Sequence, residues 1–387
     1  MDLPDLPEDQ DRAAVRSAVR ELLRRRLPPA RALELDAAGT FDRDVWQALA
    51  DAGFLGLGTP EYLGGSGGGV ADALVVVEEV ARALPSLAVD LVLAGMIART
   101  LGDVDHPDKH AWLAAAASGD LIASFALSEP AAGTDLLAAT TTARLDGDQW
   151  VLSGQKAWIS LALHAGLVFV LARTDEAAAG RRGSGFSLIA VDPDQDGVTI
   201  RRTPMAGMRA AVSCEIFLDG AVAPASALIG ERGEAMRLLG ATLDVERVLA
   251  AGISLGIAHG ALGVQLEHAR SREAFGRPIG TFQAVQHPAA DSASEIAAAE
   301  LLTRTAADLI DAGQRIPTLT AMAKLQAAET TARVVDRGMR AMGAMGLAAE
   351  STMQMYFRDA RLQLFSPVSN EMTRNIIGQA LGLGRSY

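Results

Sequence analysis

The sequence predicts a multidomain α+β protein in which a helical domain, a β-domain and a second helical domain follow one another. Three observations support this fold class. Apolar residues first recur at helical spacing, then form short runs separated by turns, and finally give way to long stretches of good helix formers. The length of 387 residues allows two or three domains. We place them at residues 1–120, 121–227 and 228–387.

The N-terminal domain is predicted to be helical over residues 8–115. The apolar face of one of its helices is visible in Val45, Leu49, Ala52 and Leu55. Residues 62–69 are rich in glycine and are predicted to form an interhelical loop. This segment fits neither the dinucleotide fingerprint nor the phosphate-binding loop.

The middle domain is predicted to contain strands because its apolar runs are short and lie between turns. These runs are residues 150–152, 167–171, 186–191 and 215–218. After Pro224 the chain is predicted to be helical again, and Pro278 and Pro317 mark boundaries between the helices. The predicted helices are residues 231–269, 281–313, 317–345 and 370–382.

Composition narrows the function classes. The net charge of −12 argues against nucleic acid as the main partner, because phosphate binding needs a basic surface. No uncharged apolar run approaches the ~20 residues of a membrane span, and residues 1–5 lack the features of a signal peptide. Cys214 is the only cysteine, and the six histidines show no metal-ligand spacing. We therefore expect a cytoplasmic protein without a membrane span, an intramolecular disulfide or a metal site.

Two segments of the predicted β-domain, residues 125–135 and 154–160, carry the groups that a flavin needs. The reduced flavin ring holds negative charge at N1, N5 and its carbonyl oxygens, so it needs hydrogen-bond donors and an aromatic or apolar wall. Ser128, Thr134 and Ser160 supply hydroxyls, and Trp158 supplies the wall. Gly133 allows close approach of the backbone.

Together these segments resemble the flavin-binding strand and loop of the acyl-CoA dehydrogenase family. The resemblance covers essentially the whole chain, because residues 41–61 are similar to the opening helices of the family and residues 272–287 to its C-terminal motif. It implies bound FAD and the fold of the family: an N-terminal helical domain, a middle β-barrel-like domain and a C-terminal four-helix bundle. It also implies a tetramer, formed either by this chain alone or with a related subunit.

The resemblance also implies which residues bind the cofactor. In the family, the arginine, phenylalanine and glutamine of the C-terminal motif reach the FAD of a neighbouring subunit. A guanidinium suits a diphosphate by its charge and its forked donors. The next motif, residues 340–346, departs from the family pattern Gln-x-x-Gly-Gly-x-Gly. Here an arginine replaces the glutamine and an alanine replaces the second glycine. The cofactor-binding residues implied are Leu127, Ser128, Gly133, Thr134, Trp158, Ser160, Arg272, Phe275, Gln283, Arg340, Gly343, Ser369 and Glu371.

The catalytic base is the largest departure from the family. Alignment places Pro367 where relatives usually carry the catalytic glutamate, and proline cannot transfer a proton. Glu246 is the alternative, because isovaleryl- and long-chain-type relatives place their glutamate at this position. It lies on an apolar stripe, where burial raises the pKa of a carboxyl group toward useful values. The competing interpretation is a structural ion pair of Glu246 with Arg247 or Arg361.

The implied reaction is removal of two hydrogens from an acyl-CoA thioester, with electrons passed to an electron-transfer flavoprotein. The resemblance implies that Thr134 contacts the substrate. Asp244 and Arg247 match family positions that either contact the substrate or organise the helix that carries Glu246. Two other functions stay open. One is a base-deficient subunit of a heteromeric acyl-CoA dehydrogenase, which Pro367 and the altered 340–346 segment would suit. The other is a flavin oxygenase or oxidase on the same fold.

Overall fold

A computed structural model describes residues 6, 8–102, 104–179, 181 and 183–384. Residues 1–5, on which the expectation about a signal peptide rests, lie outside this part of the chain. The first helical layer follows the predicted pattern, with Asp9 and Asp42 capping two of its helices through their side chains. Its helices are α1 (Gln10–Arg26), α2 (Pro29–Ala38), α3 (Arg43–Asp51), α4 (Val70–Ala83), α5 (Pro85–Gly102) and α6 (Lys109–Ala117).

The middle of the chain forms one eight-stranded sheet. Its strands are β1 (Ala123–Ala126), β2 (Thr142–Asp146), β3 (Gln149–Ile159), β4 (Leu167–Arg173), β5 (Phe186–Val191), β6 (Val198–Arg202), β7 (Cys214–Pro224) and β8 (Leu228–Ile229). Their order in the sheet is β6-β7-β3-β2-β4-β5-β8, and β1 pairs in parallel with β4. The four predicted apolar runs fall in β3, β4, β5 and β7. The other four strands, which are two to five residues long, were not predicted.

The C-terminal part is a bundle of long helices. It contains α7 (Ala235–Ser271), the hairpin of β9 (Glu273–Ala274) and β10 (Arg277–Pro278), α8 (Gln283–Asp311), α9 (Pro317–Met342), α10 (Ala344–Leu347), α11 (Thr352–Asp359) and α12 (Asn370–Ala380). All four predicted helices are present as α7, α8, α9 and α12. Helix α11 and the short hairpin were not predicted.

Helices α7 and α9 run parallel to each other. The hydroxyl of Thr320 donates to Asp244 near one end of the pair, and that of Thr331 donates to the carbonyl of Ser254 further along. Helices α4 and α7 approach closely at Gly256, where an added Cβ would lie 2.2 Å from the carbonyl oxygen of Glu78. The bundle and the N-terminal helices therefore share one packed core.

Burial explains the apolar character of two helices that by length and composition alone could cross a bilayer. Within the described residues these are Pro85–Gly102 and Thr242–Ser271. The second one contradicts the expectation that no stretch is apolar enough, since its few charged residues leave a long apolar window. The most apolar stretches of these two helices are 65% and 83% buried inside the fold, as is typical of core helices in a soluble protein.

Candidate active site

The two flavin-type segments predicted from sequence lie side by side. The backbone amide of Ala157 donates to the carbonyl of Ser128 over 3.0 Å. The Lys156 ammonium donates to the carbonyl of Leu127 over 3.1 Å. Residues that are about thirty positions apart in sequence are thus fixed next to each other at the end of β1 and the end of β3.

A buried ion pair holds these two segments together. The Lys156 ammonium lies 2.9 Å from Glu129, and the two residues are 0% and 4% exposed. The Glu129 carboxylate also accepts the backbone amides of Thr140 and Thr141 and the hydroxyl of Thr140. Burial pushes the pKa of Glu129 upward, but the hydrogen bonds from Thr141, Thr140 and Lys156 outweigh it and lower the pKa to about 2. Sequence reasoning assigned no role to either member of this pair.

The Trp158 side chain is exposed to solvent and is not packed into the core. A register irregularity between Lys156 and Ile159 breaks the pairing of β3 with β7 at this point. Trp158 adopts φ of +64°, in the left-handed region, and stays 56% exposed. An exposed indole in a costly backbone conformation is typical of a site that binds a ligand. This geometry fits an indole that forms a wall of the flavin site.

The donor groups near Trp158 are available to a ligand. In the described part of the chain, the hydroxyls of Ser128, Thr134 and Ser160 have no hydrogen-bond partner. An added Cβ at Gly133 would meet no atom within 4 Å, so the backbone there borders open space. Free hydroxyls, an open backbone and an exposed indole together fit the isoalloxazine ring of FAD.

The residues expected to reach the FAD of a neighbouring subunit are exposed between the end of α7 and the start of α8, on and beside the hairpin. Phe275 is 96% exposed and adopts φ of +53°. Arg272 and Gln283 are also exposed, and the Arg272 guanidinium has no partner within the described residues. Such an arrangement fits a surface that receives an anionic ligand or another chain.

Arg340 and Gly343 lie at the same end of the bundle as this hairpin, because α9 runs parallel to α7. Arg340 is exposed and pairs with Asp336 over 2.9 Å, and Gly343 has φ of +59°. A cavity of about 560 Å³ opens here, lined by residues of α7, α8 and α9 that include Arg340 and the buried Gln265. The exposed residues around the hairpin therefore lie at the same end of the bundle as Arg340 and Gly343.

Glu246 lies near the beginning of α7 and is half-buried. Its carboxyl group has no hydrogen-bond or ion-pair partner among the described residues. Burial raises its pKa to about 7, and the nearby charge of Arg247 opposes this rise only in part. The competing interpretation of a structural ion pair has no support in the geometry, because Arg247 pairs with Asp244 over 3.0 Å and Arg361 lies over the ring of Phe357.

The segment that contains Pro367 is tied to α9 by Lys324, another residue that sequence reasoning missed. The Lys324 ammonium is 1% exposed and donates to the carbonyl of Val368 and to Asn370, each over 2.7 Å. Burial lowers its pKa to about 8, although Glu371 favours the charged form. A lysine within the apolar run 321–325 was the available signal.

Ser369 and Glu371 are placed by the start of α12. The Ser369 side chain caps this helix by accepting the amide of Met372 over 3.2 Å. Glu371 is exposed in the first turn, where a carboxylate interacts favourably with the helix dipole. Ser369 thus caps α12 and Glu371 is an exposed acid at its start, while the cofactor contacts of both residues stay predictions.

Comparison with known proteins identifies the same family over three consecutive parts of the chain. Residues 9–120 match the acyl-CoA dehydrogenase N-terminal domain, residues 124–221 the middle domain and residues 233–382 the C-terminal domain. The acyl-CoA dehydrogenase FadE12 of Mycobacterium tuberculosis is 36% identical over 350 residues, which cover 89% of each chain.

Solved structures give the same result. The glutaryl-coenzyme A dehydrogenase in its glutaryl-CoA complex superposes with a TM-score of 0.93 at 29% identity, covering 99% of this chain and 98% of that one. A chain from the study of the electron transferring flavoprotein of Acidaminococcus fermentans superposes with a TM-score of 0.91 at 28% identity, covering 97% and 99%. This chain therefore belongs to the acyl-CoA dehydrogenase family, whose members are FAD-dependent oxidoreductases acting on acyl-CoA.

Proposed function

We propose that this chain converts an acyl-CoA thioester into the trans-2-enoyl thioester, with Glu246 as the catalytic base. The observation that carries the proposal is the Glu246 carboxyl group, which is half-buried, unpaired within the described residues and near neutrality in pKa. A carboxylate with these properties is matched to proton abstraction at physiological pH. Pro367 leaves the C-terminal segment without an acid at the position that relatives use.

The residues act on the two hydrogens in different ways. The Glu246 carboxylate takes the proton from the α-carbon of the thioester. Bound FAD supplies the acceptor for the hydride lost from the β-carbon, which leaves a carbon–carbon double bond. Ser128, Thr134 and Ser160 are proposed to donate hydrogen bonds to the flavin ring and Trp158 to cover it. Arg272, Phe275, Gln283, Arg340 and Gly343 are proposed to serve the nucleotide part of an FAD shared between subunits.

The electron acceptor is proposed to be an electron-transfer flavoprotein. The similarity to a chain from the study of that protein in Acidaminococcus fermentans supports this acceptor. A tetramer of this chain, or of this chain with a related subunit, is proposed from the exposed Phe275 hairpin. We retain domain limits near residues 120 and 227 and a cytoplasmic location as proposals.

The test is an anaerobic titration of the purified chain with short, branched, long and cyclic acyl-CoAs, followed by the absorbance of oxidised flavin. We expect bleaching in the wild type and none in Glu246→Gln. Glu267→Gln is the matched control, since Glu267 is an exposed glutamate on the same helix. The bleaching rate should rise with pH through about 7, because the base acts in its ionised form.

Each alternative has its own signature in this experiment. Bleaching that survives Glu246→Gln removes Glu246 from the role of base. A chain that is purified without flavin, and gains it only with a related subunit, favours the base-deficient subunit. Flavin that is reduced and then reoxidises rapidly in air, with a flavin C4a–oxygen adduct, favours the oxygenase or oxidase.

A further inference from the structure

Arg247 is the charged side chain that lies nearest in sequence to the proposed base, yet it is bonded elsewhere. It is 7% exposed, and its Nη1 donates to Oδ1 of Asp244 over 3.0 Å. Its buried Nε has no hydrogen-bond partner within the described residues. Residues three apart on a helix are neighbours, whereas consecutive residues point to different sides. The Asp244 contact therefore directs Arg247 away from Glu246.

Asp244 is itself held from the neighbouring helix. The hydroxyl of Thr320, on α9, lies 3.0 Å from the same Oδ1 that Arg247 contacts. This hydroxyl also lies 3.1 Å from the carbonyl of Pro317, but a carboxylate is the stronger acceptor. Thr320 is fully buried, so water does not compete for this bond. Nothing in the sequence pattern drew attention to Thr320.

We propose that Thr320 and Asp244 are positioning residues that hold and neutralise Arg247, so that the Glu246 carboxylate remains free of an ion-pair partner and able to act as base. This inference rests on the proposed function, in which Glu246 takes the α-proton. It gives Asp244 a role that acts through Arg247.

The charges around this cluster support the proposal. Arg247 is the one charged side chain in the described chain that opposes the raised pKa of Glu246. From α9, Lys324 carries a second positive charge that faces Arg247, and Glu371 and Glu329 face Lys324. No charged group of α4, α5, α8 or α11 within the described residues adds to this balance at Glu246. Loss of the Asp244 charge would leave Arg247 uncompensated beside the base, which favours ionised Glu246 and weakens it as a base.

The test is the pH dependence of anaerobic flavin reduction by an acyl-CoA that bleaches the wild type, measured by stopped flow. The wild-type midpoint is expected near pH 7. Asp244→Asn should lower the midpoint by about one pH unit or more, and Arg247→Gln should raise it above the wild-type value. At pH 6, Asp244→Asn would then reach about half of its own maximal rate, against about one-tenth for the wild type.

Two further variants separate positioning from general damage. The double variant Asp244→Asn, Arg247→Gln should return toward the wild-type midpoint, because the charge that Asp244 neutralises is then absent. Thr320→Val should shift the midpoint in the same direction as Asp244→Asn, whereas Thr320→Ser keeps the hydroxyl and should keep the midpoint. Flavin content and melting temperature report whether each variant is folded. Should Asp244→Asn not fold, Arg247→Gln and the two Thr320 variants carry the test.

The results distinguish this inference from the proposed function. If Glu246→Gln abolishes bleaching but Asp244→Asn and Arg247→Gln keep the wild-type midpoint, the positioning role is wrong and the base assignment stands. If Glu246→Gln bleaches normally, the proposed function itself has failed. Shifts of opposite sign in Asp244→Asn and Arg247→Gln, restored in the double variant, establish the positioning role, since simple structural damage would not reverse sign.

Discussion

Replacing Lys156 with methionine tests whether the buried ion pair organises the flavin-binding segments. The substitution removes the bonds from the Lys156 ammonium to Glu129 and to the carbonyl of Leu127, but keeps a side chain of similar length. Glu129 then remains as a buried charge without its cation. Breaking a buried pair from one side costs about 3–5 kcal/mol. We expect weaker flavin binding as well, because Leu127 and Ser128 lose their attachment to β3.

The magnitude can be worked from the contacts of Glu129. Burial raises its pKa, but the hydrogen bonds from Thr141 and Thr140, and to a smaller extent the bond from Lys156, lower the pKa to about 2, so only part of this stabilisation is lost with the ammonium. Methionine at position 156 leaves the three hydrogen bonds from Thr140 and Thr141 in place. We therefore expect a loss of about 3 kcal/mol in the free energy of unfolding, at the lower end of the range for buried pairs. In the wild type this contribution is present above pH 4.5 and is lost as the pH falls toward 2.

The assay is urea unfolding of the flavin-loaded protein at pH 7, followed by flavin fluorescence and by circular dichroism. Arg144→Met is the matched control, because Arg144 pairs with Asp146 on the same sheet while both side chains are mostly exposed. A surface pair of this kind contributes less than about 1 kcal/mol. If Lys156→Met costs no more than Arg144→Met and retains its flavin, the buried pair does not have the role described here.

Two further predictions concern packing in the helical bundle. Gly256→Ala should destabilise the protein by about 1–3 kcal/mol, because the new Cβ would overlap the carbonyl oxygen of Glu78 at 2.2 Å. Gly263→Ala, on the same helix but facing open space, should be neutral or stabilising by up to about 1 kcal/mol; equal melting temperatures for the two variants would contradict this. Lys324→Met should cost about 1–3 kcal/mol, because the carbonyl of Val368 and the buried side chain of Asn370 lose their donor. Limited proteolysis after α11 should then become faster, and resistance equal to that of the wild type would argue against this role of Lys324.

The order of domains and most helices could be predicted, because they depend on local periodicity. Strands β3, β4, β5 and β7 were visible for the same reason. Strand β1 has only four residues and no polar–apolar alternation, because it is buried throughout beside β4. Its assignment depends on a partner more than forty residues away, and local pattern carries no information about that partner.

Some features of the candidate site could likewise be predicted from local sequence, and others could not. The position of Glu246 on an apolar stripe predicted a partly buried carboxyl group, and the structure agrees. The pairs of Lys156 with Glu129 and of Lys324 with Val368 could not be predicted, because each joins segments that only the tertiary fold brings together. A lysine in an apolar run signals a buried partner, but it does not say which one.

The length of α7 determines whether two inactive variants of this chain can complement each other. Glu246 and Arg272, the residue that caps the end of α7, lie about 39 Å apart along this helix, at 1.5 Å per residue. On the roles proposed here, one flavin cannot use both residues from the same chain. Co-expression of a Glu246→Gln chain with an Arg272→Ala chain should therefore complement: in a mixed pair, one site receives both damaged residues and the other receives both intact ones. Two inactive alleles would then yield a partly active enzyme.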